Sequence, residues 1–297
     1  MKNYDWIIIG GGIAGISIAE YISRTNKNIL LIEQNSKLCA ETTAEFHEWT
    51  HAGSLYTLKN KDFMALNYLI KSINDLLKYY SHFENMNILP SKKGFSVKEI
   101  KNGWFQNSFI KFKFKISRRK INLVWLYKVA RSILIINKIK TINWIDGYKN
   151  SSKELYPNFM QIFFQIAKLL LHNDRFYILE SPDLSCDSRR IITDLLDISL
   201  QRGVEYSVDN EFINYKKTNE GVYEINSEKK IFYGKNLMFC NGRNISKVFS
   251  SQIKTTYSPM LVYKNLPKQV NHFVELDIFE NNSINMIVKE NNIGLFG

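Results

Sequence analysis

Three glycines in the first fifteen residues constrain this chain more than any other feature. Residues 10–15 read Gly-Gly-Gly-Ile-Ala-Gly, a GxGxxG pattern on Gly10, Gly12 and Gly15. The residues before it, 4–10 (YDWIIIG), form a continuous β-branched run of the kind found in a strand covered on both faces. After the glycines, Ile13, Ile16, Ala19 and Ile22 recur at helical spacing through residues 13–24, and residues 28–33 (NILLIE) read as a second buried strand. A lone glycine triplet recurs by chance. A strand, glycine turn, helix and strand within about thirty residues is the βαβ unit.

Each glycine has a physical task in such a unit. Gly10 ends the strand and permits the tight turn. Gly12 lets the backbone approach a pyrophosphate, and Gly15 lets the helix pack closely on the strand. The helix N-terminus at Ile13 and Ala14 then directs N–H groups and the positive end of its dipole at the phosphates. Glu33 ends the second strand at roughly the twenty-residue separation expected of the acid that accepts ribose hydroxyls. Its carboxylate would repel a 2′-phosphate, which disfavours NADP. The expectation is a site for the ADP half of a nucleotide cofactor; the motif alone does not separate FAD from NAD.

The rest of the chain is less regular. A helix is expected over 61–80, and alternation over 109–116 (FIKFKFKI) predicts a strand with Lys111, Lys113 and Lys115 on one face. That face is either solvated or a platform for an anion. The apolar stretch 159–171 is either a buried helix or an interfacial one lying on a membrane. Residues 187–202 suggest a helix capped by Gly203, followed by strands at 204–208, 236–240, 257–264, 272–278 and 284–289, with a hairpin over 220–240. Residues 88–175 are the least readable.

The 297 residues allow one elaborate domain or two lobes. Forty Lys and Arg against 28 Asp and Glu give a net charge of +12, which suits an anionic substrate, membrane surface or nucleic acid but also follows from a composition rich in Asn, Lys and Ile. The lysines are spread rather than gathered on one helix, which disfavours nucleic acid as the main partner. Cys39, Cys186 and Cys240 form no CxxC pair, so neither a disulfide framework nor a metal site is expected, and a reducing cytoplasm fits. No signal peptide or spanning segment is read.

Residues 40–56 (AETTAEFHEWTHAGSLY) resemble the loop after the second strand in FAD-dependent oxidoreductases of the D-amino-acid oxidase superfamily. They are most similar to the glycerol-3-phosphate and L-2-hydroxyglutarate dehydrogenase branches. Residues 187–206 and 237–243 resemble later segments of the same family, so the likeness covers about the first sixty residues and residues 180–245. It implies FAD, with Thr42 and Thr43 at the pyrophosphate, His51, Ala52 and Gly53 along the isoalloxazine, Phe212 presenting backbone to the adenine, and Gly242 near the cofactor. The implied fold is α/β: a Rossmann-like, glutathione-reductase-like FAD domain (1–85 and 176–255) with an inserted mixed α+β substrate domain (86–175 and 256–297). In the family a strand like 293–297, ending in Gly-x-x-Gly, precedes a further stretch that closes the sheet, so a C-terminal FAD segment is expected to be missing and the chain to be a fragment.

The implied activity is removal of a hydride from a small hydroxy acid, polyol phosphate or amine. His51 is the first candidate for the base, or else it only shapes its loop; His47 is second. Arg118, Arg119 and Lys120 are candidates for holding an acidic substrate, or an exposed basic turn, and Arg243 for facing the cofactor. Two other readings stay open: a tailoring enzyme acting on a larger sugar or RNA, and a truncated, non-catalytic FAD-domain protein. Peripheral membrane attachment and oligomeric state are likewise open.

Overall fold

The computed structural model describes residues 2–41, 43, 48–58, 63–116, 122–149, 152–249, 260–267, 270–277, 282–289 and 292–296. The chain divides into two compact units, Met1–Phe46 with Ser188–Ser258, and His47–Asp187 with Pro259–Gly297.

In the first unit, β1 (Asn3–Ile9), α1 (Ile13–Ser23) and β2 (Ile29–Ile32) form the βαβ unit. After the excursion into the second unit come α5 (Ser188–Gln201), β8 (Glu205–Ser207), β9 (Phe212–Lys217), β10 (Tyr223–Ser227), β11 (Ile231–Phe239) and the short α6 (Ile245–Val248). The strands make one sheet in the order β8-β2-β1-β11-β10-β9. The first four run parallel, and β10 and β9 add an antiparallel meander. The apolar run of β1 is explained by this position: Ile7, Ile8 and Ile9 are buried at the centre of the sheet. The hairpin expected over 220–240 is this meander, and its last strand is longer than residues 236–240 suggested.

The face of α1 differs from the expectation. Gly15, Ile16, Ala19, Glu20 and Ser23 are the buried residues, whereas Ile13 is 37% exposed. Glu20 can be buried because Arg24 Nη2 at 2.9 Å and Arg202 Nη1 at 2.7 Å, the latter just beyond α5, meet its carboxylate. A buried acid so paired keeps its hydrogen bonds, and losing either arginine would strand a charge.

The second unit carries β3 (Trp49–Thr50), α2 (Phe63–Tyr80), β4 (Ile88–Pro90), β5 (Phe95–Val97), β6 (Phe105–Lys115), α3 (Leu123–Lys140), α4 (Phe159–Leu171), β7 (Phe176–Cys186), β12 (Leu261–Tyr263), β13 (Phe273–Asp277), β14 (Asn282–Lys289) and β15 (Ile293–Phe296). Its main sheet runs β12-β15-β14-β13-β6-β7-β3, with β13 and β6 parallel. Alternation along β6 does what period two requires: Ile110, Phe112 and Phe114 are buried against α3 and α4, and the lysines take the other face. Asn122 caps α3 by accepting from Val124 N–H at 2.8 Å, and Asn158 with Gln161 forms a capping box on α4. Only one face of α4 is buried (Ile162, Gln165, Leu169); Phe159, Met160, Phe163, Phe164, Leu170 and Leu171 are exposed, so it is not a buried core helix. Among the described residues no helix is long and apolar enough to cross a membrane.

The units divide at 46/47 and 187/188 rather than at 85 and 176. Packing is the reason. Leu66, Ile70 and Ile73 of α2 share a core with Ala52, Ile135, Ile139 and Trp144, and β7 pairs along β6 from Phe176 to Cys186. Both segments therefore belong to the second unit.

Candidate cofactor site and the His51 turn

The glycine turn opens onto a cavity of about 420 Å³ in the first unit, within the roughly 300–1,000 Å³ usual for cofactor sites. Gly10, Gly12, Ile13, Ala14, Glu33, Thr43, Phe212 and Gly242 all line it. Gly15 lies beneath, where it is demanded by packing: a Cβ there would fall on the carbonyl oxygen of Gly10. Gly10 has φ +107°, and a Cβ on it would lie 2.5 Å from Cys240 O. Gly11, which the motif leaves unspecified, is equally constrained, since its Cβ would collide with Leu38 and crowd Glu33. At Gly12 the nearest atom to such a Cβ is Thr43 Oγ1 at 3.4 Å, so the space in front of it is left for a ligand.

The donors fit an anion. Gly12 is the N-cap of α1 and has no side chain to satisfy the first turn. Ile13 N–H donates to Thr43 Oγ1 at 3.2 Å; those of Ala14 and Gly15 have no partner within a helix start. Glu33 is buried, and its Oε1 accepts from Asn35 N–H (2.8 Å) and Asn35 Nδ2 (2.6 Å), while Oε2 accepts from Gly11 N–H at 2.6 Å. A carboxylate oxygen accepts about two bonds. As arranged, Oε2 has room for one ribose hydroxyl, and a second needs the Asn35 side chain to turn away; both hydroxyls are not accommodated at once without that movement.

The cavity mouth contains residues that no motif announced. Gln34 Nε2 and Arg243 Nη2 both donate to Glu41 Oε1, at 2.9 and 3.2 Å, and Asn244 Nδ2 donates to Gln34 Oε1 at 3.1 Å. Arg243 thus lines the cavity, bound to an acid. Phe212 opens β9 and meets Phe239 edge-on at 5.5 Å. Gly242 has φ +48° and starts a short 3-10 turn after β11.

The His51-Ala52-Gly53 stretch belongs to the second unit. His51 packs its ring on Trp49 at 4.2 Å. Ala52 is fully buried and its N–H donates to Asp183 Oδ1 at 2.5 Å, so that N–H is not available to a ligand. Gly53 has φ +98°, and a Cβ on it would lie 2.5 Å from Leu66 Cδ1. Asp183 is itself fully buried, and that burial pushes its carboxyl up to about 6 although the Ala52 N–H favours the charge.

On the open face of the second sheet a cavity of about 460 Å³ is lined by Lys111, Lys113, Glu180, Asn271, His272 and Phe273 among others. Lys113 Nζ lies 3.9 Å over the Phe273 ring, and Lys140 holds Glu180 at 3.3 Å. His272 accepts from Val288 N–H at Nδ1 (2.9 Å), so Nε2 carries the proton toward Gln106 Oε1 (3.0 Å). Burial lowers its pKa to about 4, keeping it neutral. Thr42, His47, Arg118, Arg119 and Lys120 lie outside the described residues, and no metal-binding cluster occurs among those described.

A cavity of this size built on the glycine turn defines a dinucleotide-binding class of protein. Residues 5–95 match the family model DAO, FAD dependent oxidoreductase. Among solved structures the chain resembles L-alpha-glycerophosphate oxidase from Mycoplasma pneumoniae with FAD bound (TM-score 0.60, 16% identity, 99% of this chain and 71% of that one). It also resembles glycine oxidase from Geobacillus kaustophilus (0.64, 10%, 100% and 71%) and L-proline dehydrogenase from P. horikoshii (0.54, 10%, 100% and 70%). No curated protein matches the sequence. The N-terminal third of the chain is thus similar to the FAD-dependent oxidoreductases of this family, and the chain as a whole shares the fold of these solved enzymes.

Proposed function

We propose that the enzyme oxidises a small substrate carrying an acid group, either a 2-hydroxy acid, a polyol phosphate or an amino acid, by taking a hydride from the carbon beside its hydroxyl or amine. The observation that carries the reading is the first-unit cavity, where Gly10, Gly12, Glu33 and the start of α1 converge. Bound there, FAD supplies the hydride acceptor. The chain's own residues do the rest. The N–H group of Ala14 and the Thr43 hydroxyl hold the pyrophosphate, and Glu33 Oε2 takes a ribose hydroxyl.

His51 is the proposed base for the substrate hydroxyl, its ring plane held by Trp49. An amine substrate needs only to be neutral. Lys111 and Lys113, beside Asn271, are the proposed anchors for the acid group, supported by the cavity they line. The glycerophosphate and glycine oxidase neighbours agree with a phosphate or carboxylate there.

The test has two parts. FAD is added to the purified protein, and retention of the flavin bands through gel filtration is expected. The loaded protein is then offered glycerol phosphates, 2-hydroxy acids and amino acids with an artificial electron acceptor. Bleaching of the flavin by one acidic class and not by its neutral analogues is expected; reduction by none of them overturns the substrate assignment, and a protein that refuses FAD overturns the cofactor geometry.

A further inference from the structure

Helix α4 is folded onto the second unit by one stripe and leaves a wider apolar stripe uncovered. Ile162, Gln165 and Leu169 are its buried residues. Phe159, Met160, Phe163, Phe164, Leu170 and Leu171 are each half exposed or more, from Leu170 at 50% to Leu171 at 80%. With about 3.6 residues per turn, the six fall within an arc of roughly 140° opposite the buried stripe. The capping box of Asn158 and Gln161 fixes the helix start, so the face is presented by an ordered element. Together the six show on the order of 600 Å² of surface, the upper end of what an ordinary soluble monomer presents in one patch. Of the two readings open for residues 159–171, burial removes the first and leaves the interfacial helix.

Charge selects the occupant. Neither α4 nor α3, the helix it packs on, contains an Asp or Glu; together they carry Lys128, Arg131, Lys138, Lys140 and Lys168. Arg131 is buried, Lys138 donates to Tyr156 O and Lys140 to Glu180, which leaves Lys128 and Lys168. Lys168 is exposed and, by helical spacing, stands on the shoulder of the apolar arc beside Gln161. A lysine there lays its stem along the apolar face and keeps its ammonium at the polar boundary. The first acid beyond the helix, Asp174, lies 3.8 Å from His172 and is followed by the exposed Arg175. A second copy of the chain would set these lysines against their equivalents with no acid on either helix to receive them. An anionic bilayer surface matches both parts of the face, acyl chains for the phenylalanines and phosphates for the lysines, and the chain as a whole carries +12.

We propose that α4 is a docking helix for an anionic membrane surface, entering the headgroup boundary by its Phe163 and Phe164 side with Lys168 at the phosphates. Its 13 residues reach only about 20 Å along the axis, so the helix lies in the plane of the interface rather than crossing it. The inference is independent of the substrate and cofactor readings.

Flotation of the purified chain with phosphatidylcholine vesicles, with and without phosphatidylglycerol, tests it. Association with the anionic vesicles should be about tenfold or more stronger than with the neutral ones at low salt, and should fall several-fold as salt rises. Phe163→Ser combined with Phe164→Ser changes two exposed side chains, so the melting temperature should hold while anionic association drops about tenfold or more. Lys168→Glu should weaken the anionic association several-fold.

Light scattering without lipid separates the competing occupant. A monomer is expected; a dimer that the double serine variant dissociates would assign the face to a second copy and overturn the proposal. So would failure to float with either vesicle, or flotation that the double variant leaves unchanged. Should the double variant not fold, hydrogen exchange of wild type decides. The peptide 159–171 should gain protection several-fold on adding anionic vesicles while 29–32 does not, and equal exchange with and without vesicles overturns the proposal.

Discussion

Two glycine turns in this molecule are held by the same device and differ in what it leaves free. In the first unit, Gly11 N–H donates to Glu33 Oε2 at 2.6 Å; in the second, Ala52 N–H donates to Asp183 Oδ1 at 2.5 Å. Each turn contains a glycine at positive φ, Gly10 at +107° and Gly53 at +98°. Each acid comes from a strand of the same unit, β7 for Asp183 and the residue just after β2 for Glu33. Glu33 stands at the edge of a cavity with one lone pair unspent, whereas Asp183 is sealed in. An acid that braces a turn and still faces a cavity can bind a ligand; one sealed beneath its turn can only shape it.

The largest difference between the turns should appear on adding one methyl group. In Gly15→Ala the Cβ would occupy the position of a backbone carbonyl, with no flexible neighbour to yield. We expect loss of about 3 kcal/mol or more, or no folded protein. In Gly53→Ala the obstacle is the end of the Leu66 side chain, which can move, so the cost is mainly the positive φ, about 1–3 kcal/mol. Denaturant unfolding of the two variants side by side checks the ranking; equal losses would show that the first turn is not the more rigid.

The second effect is a pH dependence produced by the sealed acid. The folded-state pKa of Asp183 is about 6 against an ordinary 3.8. The stability it contributes is therefore fully present below about pH 4 and is lost as pH rises through 6. The loss is on the order of 3 kcal/mol at full burial. Asp183→Asn stays neutral and removes this contribution, so its melting temperature should gain on that of wild type between pH 4 and pH 7. His272, whose burial lowers its pKa to about 4, adds stability over the same window in both proteins, so the difference between them is what decides: equal changes in wild type and variant would count against the assignment.

Glu33→Gln tests the acid that faces the cavity. It retains an acceptor for Gly11 N–H but loses the charge and one acceptor for Asn35. FAD affinity should weaken by about ten- to a hundredfold, the worth of a charge-assisted bond, in calorimetric titration. Global stability should change less than binding does, because Gln can still meet Gly11. A variant that melts early yet binds FAD normally would make Glu33 a brace alone.

Sequence reading reached the first turn because its elements obey simple rules. Ile7–Ile9 are apolar in succession because both sheet faces are covered, and Gly10 and Gly15 are sterically compelled. The helix face was misplaced where tertiary pairing overrode periodicity: Arg202 lies far along the chain from Glu20. Asp183 was invisible for a related reason. The run Ser181-Pro182-Asp183 has the residues of a turn, yet it lies within β7. Helix α3 hides in the same way, with Arg131 and Ser132 buried among its apolar residues. The mouth residues Gln34, Glu41 and Asn244 sit on loops where no period applies.

The smallest effect concerns the cavity mouth, where the first turn's site meets solvent. Arg243 is about half exposed and pairs with Glu41 at 3.2 Å. An exposed pair of this kind adds little to folding, so neither Arg243→Gln nor Glu41→Gln should shift the melting temperature measurably. Their effects on an anionic ligand should oppose each other. Removing the arginine takes a positive charge from the lining of the cavity and should weaken ADP binding by a few-fold at low salt. Removing Glu41 frees the arginine and deletes a negative charge, so ADP should bind somewhat tighter. Raising the salt should shrink both changes, because exposed charges are screened. If both substitutions weaken ADP alike at every salt concentration, the pair acts as a latch that closes the mouth rather than as two independent charges. The double variant then separates the cases, since opposing charge effects cancel and loss of a latch does not.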